Sequence, residues 1–308
     1  MAPEGIKILK DIKVVEPVMI AGWPGMGNVA LGTVDYLRRN MKTVEIAEIE
    51  IDKFSVLDSV IVENGVARYA EVPRNVFYYD KEKNIVMFEG EVQLQGAAGI
   101  ALLKKVLEAA ASFRTKMIFT GAAFPLPVSY REPPEVYGVA NRAALLDTIT
   151  KAGVKPMEGG HISGLNGLIL GFAEERNIDA LCLLATMPQY AISFPNPKAS
   201  NAIIDALERI LSFEVDRQEM IEDIKEMDER MSVIEDKVKD AFTIEDEAPE
   251  TPPVDKKIPG YIMEKIEKMF REAKLDKTKA GILKKELDRW DLYKLYEDRF
   301  LDLFEEGQ

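Results

Sequence analysis

The sequence predicts an α/β sandwich built on a largely parallel sheet, and three observations carry that expectation. Short β-rich apolar runs alternate with amphipathic helical stretches over the first two-thirds of the chain. Glycine-rich turns stand directly between strand-like and helix-like segments. An Asn64-Gly65 pair lies between two β-rich arms, the strongest short-range hairpin signal, because both turn positions need positive φ.

Each element follows from its local pattern. Residues 18–21 form an apolar strand that ends in a glycine-rich turn, and Ala30, Leu31, Val34 and Leu37 then recur at helical spacing. Val44, Ile46, Ile49 and Ile51 mark a β-rich segment before the hairpin arms 60–63 and 66–69. Further strands are expected at 76–79, 85–88, 117–120 and 180–185, with helices at 97–113 and 140–151. Ile100, Leu103, Val106 and Leu107 make the apolar stripe of the first of these helices. Together these form a core domain over residues 1–212, with the hairpin as an antiparallel addition.

Near residue 200 the pattern changes. Ser200 and Asn201 are candidate helix caps after an extended Phe194-Pro195-Asn196-Pro197 segment. Ile203, Ala206, Ile210 and Phe213 open a 3,4 alternation that resumes through Met220, Ile224, Met227, Met231, Ile234 and Val238. One helix over 200–242 would be ~63 Å long, more than a domain of ~200 residues is wide, so its second half is expected to project. A narrow seam is not stable alone in water, so 213–242 is expected to be a coiled-coil helix contacting an oligomer mate or a client. Packing back on its own domain is the alternative. An acidic, proline-rich linker (243–259) follows, then a small helical module (260–308). There Trp290, Tyr296 and Phe300 are candidate contact residues, since ~50 residues hardly bury a sufficient core unaided.

Composition narrows the function. After residue 212 the chain carries 28 Asp and Glu against 18 Lys and Arg, whereas the first 212 residues carry 25 and 22, within a total formal charge of −13. A near-neutral body with an acidic extension lacks the basic block that phosphate contacts require, so no nucleic-acid partner is expected. One Cys and one His exclude a disulfide framework or a Cys/His zinc cluster within one chain, and no metal or cofactor is expected. Residues 1–16 hold no apolar run of leader length and no run approaches the ~20 residues of a membrane helix, so a cytoplasmic protein without a membrane is expected. Abundant Glu, Lys and Ile resemble thermophile usage.

Three glycine-rich clusters are candidate sites. Gly25-x-Gly27-x-x-Ala30 matches the dinucleotide fingerprint, with Asn28 inside it and Glu45, Glu48 and Glu50 at the distance of a ribose-binding acid. Pro24, however, removes an N–H from that cradle, and a tight structural turn is the favoured reading. Glu89-Gly90-Glu91 follows a strand, and two carboxylates so placed serve proton transfer if burial raises one pKa. Gly159-Gly160-His161-Ile162-Ser163-Gly164-Leu165-Asn166-Gly167 sets the only histidine beside a serine, one residue out of register with a nucleophile elbow. No catalytic residue is assigned; Gly25, Gly27, Asn28, Glu91, Gly160 and Asn166 are candidate ligand contacts. The alternative function is a nucleotide- or nucleoside-binding enzyme.

Taken jointly, residues 20–30 (Ile-Ala-Gly-Trp-Pro-Gly-Met-Gly-Asn-Val-Ala), Glu89-Gly90-Glu91-Val92-Gln93, Gly121-Ala122-Ala123 and the 159–168 cluster resemble the family of proteasome assembly chaperones and their archaeal homologues, over about residues 14–215. The resemblance implies a three-layer α/β/α sandwich of phosphorylase/hydrolase-like fold without the catalytic residues of those enzymes. It further implies a homo-oligomeric chaperone or adaptor whose partners are itself and proteasome subunits or another protein client. The ending Glu305-Glu306-Gly307-Gln308 departs from the hydrophobic-Tyr-any tail of proteasome-docking proteins, which weighs against docking by the terminal carboxylate.

Overall fold

The computed structural model describes residues 5–51, 60–69 and 71–246, and beyond them 266, 268–270, 273–274, 277–289, 292–293, 296, 299–300 and 303. The chain divides into two compact units, Met1–Phe242 and Thr243–Gln308.

The first unit is built on a nine-stranded sheet of order β1-β3-β6-β7-β2-β8-β11-β9-β10. Its centre, β7 (Ile85–Gly90), β2 (Val18–Gly22), β8 (Met117–Leu126) and β11 (Asp179–Pro188), is parallel. The wings bring antiparallel pairs: β1 (Ile6–Ile8), β3 (Thr43–Ile49) and β6 (Asn75–Asp80) on one side, β9 (Val136–Ala140) on the other. The two-residue β10 (Lys155–Pro156) pairs parallel with β9 at the edge. The central strands read as unbroken apolar runs because helices cover both faces.

On one face lie α2 (Gly96–Ser112) and α4 (Leu165–Glu174), whose Leu103, Val106, Leu107 and Ile169 are buried against Met19, Phe88 and Ile118. Ile100, expected in the α2 stripe, is 38% exposed; Leu102 takes its place. On the other face lie α1 (Val29–Asn40) and α5 (Pro197–Leu211), packed through Val34, Leu37, Ile203 and Leu207 onto Ile20, Met87 and Phe119. The short α3 (Leu146–Lys151) adds Ile149 to the same layer. The hairpin forms as expected: β4 (Val60–Glu63) pairs with β5 (Val66–Tyr69), and Asn64 and Gly65 take φ of 50° and 78°.

The single long helix does not form. Asn196, rather than Ser200 or Asn201, caps α5: its Oδ1 accepts from Ala199 N at 2.9 Å, and Pro197 supplies the preset first turn. The helix stops where Ser212 turns left-handed (φ 56°) and Phe213 is buried in the core. A second helix, α6 (Gln218–Asp246), restarts where Asp216 Oδ1 accepts from Gln218 N at 3.0 Å. The break aims α6 back onto its own domain instead of away from it. Met220 and Met231 are buried among α1 and α5 residues, and Ile224, Met227 and Ile234 pack against the same cluster. A 3,4 seam is the same signal whether a partner subunit or the parent domain covers it, and here the parent domain does. Val238 lies in 236–246, of which only the helical backbone is described.

Polar contacts hold α6 as far as Glu235. Tyr36 Oη donates to Asp216 O at 2.8 Å and accepts from Met220 N at 3.3 Å, and Arg39 pairs with Glu219. Lys198 pairs with Asp228 at 2.7 Å, while Ser129 and Tyr190 hydroxyls donate to the buried Glu235 at 2.8 and 3.1 Å.

In the second unit Ile266, Phe270, Leu283, Leu287, Leu292 and Phe300 are buried together, with Tyr296 packed against them 5.5 Å from Phe270 between ring centres. The helix α7 (Ala280–Arg289) contributes Leu283 and Leu287. Phe300 and Tyr296, expected as contact residues, thus serve the module's own core; Trp290 lies outside the described residues.

Candidate functional site

The connection after β2 runs to the left of the sheet through α1, whereas β8 leads to the right, so the C-terminal ends of these neighbours flank a topological switch point, where open α/β sheets bind ligands. A cleft of about 490 Å³ opens there. Pro24, Gly25 and Met26 after β2, Phe124 at the end of β8, and Met157 and the 159–164 loop wall it.

One side chain organises the floor. Asn166, in the first turn of α4, accepts Trp23 N–H at 3.0 Å through Oδ1 and donates from Nδ2 to Trp23 O at 3.1 Å. Thr120 Oγ1 donates to the same Oδ1 at 3.3 Å, joining β2, β8 and α4. Gln93 repeats the device with its amide turned to suit: the nitrogen donates to Pro24 O at 3.1 Å and the oxygen accepts from Leu165 N at 2.9 Å. Trp23 itself is fully buried, its ring 5.1 Å from Phe88.

The glycine-rich turn after β2 is spent inside the fold. Gly27 N donates to Ile192 O at 2.8 Å and Asn28 N to Gly25 O at 2.9 Å, so with Pro24 lacking an N–H and Trp23 bound to Asn166, the six successive positions 23–28 leave only Gly25 and Met26 as candidates for a phosphate cradle. Gly27 adopts φ 62°, and a Cβ there would lie 2.8 Å from Met187 Sδ. This is the chemistry of a close-packed turn. Gly25, Gly160 and Asn166 do share the cleft, but Gly27 and Asn28 face a separate cavity of about 270 Å³ walled by Asp35, Arg39, Asp223 and Arg230.

The carboxylates expected to act together diverge. Glu91 Oε2 accepts from Arg74 N at 2.7 Å, pinning the mouth of the β6–β7 pair. Glu89 meets Arg38 of α1 at 2.6 Å. Burial holds the Glu89 carboxyl above the usual carboxylate range, although Arg38 pulls it down. Each acid has its own structural partner, and neither lines the cleft. Glu45 and Glu48, expected at a ribose, both pair with the Arg74 guanidinium at 3.1 Å on the antiparallel wing. His161 and Ser163 are exposed on the cleft rim.

Sequence reasoning missed Trp23 and Gln93 as organisers. A tryptophan in a glycine turn was the available signal, since a bulky residue there must find a core pocket. Among the described residues no helix is long and apolar enough to cross a membrane.

Comparison with known proteins agrees with this architecture. A curated relative, the uncharacterized protein MJ1210 of Methanocaldococcus jannaschii, is 24% identical over 241 residues, 73% of this chain and 90% of its own. Among solved structures, Pyrococcus furiosus PbaB, described as an archaeal proteasome activator, superposes with a TM-score of 0.64 at 24% identity, over 75% of this chain and 98% of its own. P. furiosus PbaA, described as an archaeal homolog of proteasome-assembly chaperone, gives 0.60 at 18% identity, over 77% and 99%. The PAC2 family model matches residues 19–235, which span the whole sheet from β2 onward and the docked part of α6, and the chain belongs to the PAC2 family.

Proposed function

We propose that this chain is a non-enzymatic, homo-oligomeric chaperone or adaptor of the cytoplasm that assists proteasome assembly or engages proteasome particles, using its C-terminal helical unit to reach the client. The observation that carries the reading is family membership over 19–235. The fold shared with PbaB and PbaA supports it. The site chemistry favours it over a nucleotide enzyme, because the Trp23, Gly27 and Asn28 amides of the turn and the Asn166 side-chain amide are committed to holding strands and helices together, and Pro24 has no N–H to offer.

The test is capture of proteasome subunits from cell extract by the full chain and by a chain ending at residue 242, which retains the first compact unit. The full chain is expected to capture them and the shortened one to lose at least tenfold. Equal capture by both removes the C-terminal unit from the mechanism, and no capture by either removes the chaperone reading. A thermal-shift series with nucleotides is expected to be flat; ligand at 100 times its Kd would stabilise by about 2.7 kcal/mol.

A further inference from the structure

The hairpin β4–β5 has two unlike faces. Strand alternation and the pairs Val60 with Tyr69 and Val62 with Ala67 put these four uncharged residues on one face. Ile61, Glu63, Val66 and Arg68 occupy the other, where Arg68 and Glu63 pair at 2.5 Å. Every strand residue is exposed, Val60 by 50%, Val62 by 64% and Tyr69 by 60%. A two-stranded hairpin is marginal in water, and an apolar face this open calls for a cover.

The switch-point cleft is the matching surface. Its lining contains no Asp, Glu, Lys or Arg, in a chain of which 30% is charged. Four other cavities on the same unit all carry such side chains: Glu132, Asp35, Arg131 and Lys83 are examples from each. Met26, 42% exposed, and the partly exposed Met157 and Ile162 offer adaptable apolar contact at its mouth. Burying a charge here would leave it unpaired, which selects an uncharged occupant.

We infer that the Val60, Val62, Ala67 and Tyr69 face of one chain docks in the switch-point cleft of a second copy. The donor and acceptor surfaces differ, so the contact is heterologous and repeats from chain to chain, closing into a ring when the rotation allows. It rests on the homo-oligomer part of the proposed function and names the surfaces that would build the oligomer.

The test uses the full chain with Val62→Cys and Met26→Cys together. The native Cys182 is fully buried and does not compete. Mild oxidation is expected to give a ladder of cross-linked multimers that neither single variant gives. Light scattering is expected to show a multimer for the parent chain, at least a tenfold weaker assembly for Val62→Glu, and no change for Val66→Glu on the opposite face. Circular dichroism checks that the exposed substitutions leave the fold intact. A chain without the ladder, a Val62→Glu variant of parental mass, or a monomer retaining a small apolar molecule in native mass spectra overturns the inference. Parental mass in Val62→Glu with proteasome capture intact sinks this inference alone; a ladder without capture sinks only the chaperone reading.

Discussion

The side-chain amide of Asn166 pairs with both backbone groups of Trp23, 143 positions away, at 3.0 and 3.1 Å. It does for the end of β2 what a neighbouring strand does elsewhere, and Trp23 is thereby carried into the core without stranding its peptide group.

Asn166→Ala should therefore cost about 2–4 kcal/mol, because two buried main-chain groups lose their partners at once. Guanidinium titration with an unchanged slope measures it. A loss below about 0.5 kcal/mol would mean that water replaces the amide and that the clamp is dispensable.

The two glycines of the apparent fingerprint should behave differently. Gly27→Ala forces a Cβ onto Met187 at positive φ and should cost about 1–3 kcal/mol. Gly25 has extended φ (−169°) and only Asn166 Nδ2 at 3.7 Å, so Gly25→Ala should stay within about 0.5 kcal/mol. Equal penalties in thermal melts would mean that the Met187 contact and the positive φ do not set Gly27 apart.

Docking of α6 is tested by two substitutions two residues apart. Met231 is 5% exposed and Val233 55% exposed. Met231→Ala should cost about 2–5 kcal/mol and open the helix to proteolysis; Val233→Ala should do neither. If both are silent, α6 stands away from the domain in solution.

Alkaline pH should destabilise the fold. Burial pushes the Cys182 thiol from its ordinary value near 9 up to about 12, and burial likewise lifts the Tyr78 and Tyr190 hydroxyls from 10 to about 12. Each group is neutral when protonated and holds its proton more tightly in the folded state. Their contribution is thus fully present below pH ~9 and is lost as pH rises toward 12. Urea midpoints between pH 8 and 11 should fall, and Cys182 alkylation at pH 8 should follow global unfolding. Rapid alkylation of the native protein would contradict the burial.

The elements with strong local patterns were readable residue by residue: β2, the Asn64-Gly65 hairpin, β6, β7, and the cores of β8 and β11. The wings were not. Strands β1 and β9 are short, and β10 has two residues, too few for any period to emerge, and they exist because a neighbouring strand edge offers unpaired hydrogen-bond groups. Gly25 in one glycine-rich turn and Gly160 and Asn166 in another were legible as candidate contacts; that the fold gathers these three at one cleft was not. That Glu91 turns to Arg74 and Glu89 to Arg38 was not, since each partner comes from an element distant in sequence.

By itself the amino-acid order determined the alternating α/β plan, the turns that demand positive φ, the acidic extension and the family likeness, because these rest on local sterics and on periodicity along one segment. Only the tertiary structure decided where the methionine seam of α6 finds its cover, which of two glycines is sterically obligatory, and how Trp23 keeps its backbone satisfied while buried. The physical reason is that a hydrophobic stripe or a polar side chain specifies the kind of partner it needs, while the identity of that partner depends on which surfaces the folded chain brings within contact distance.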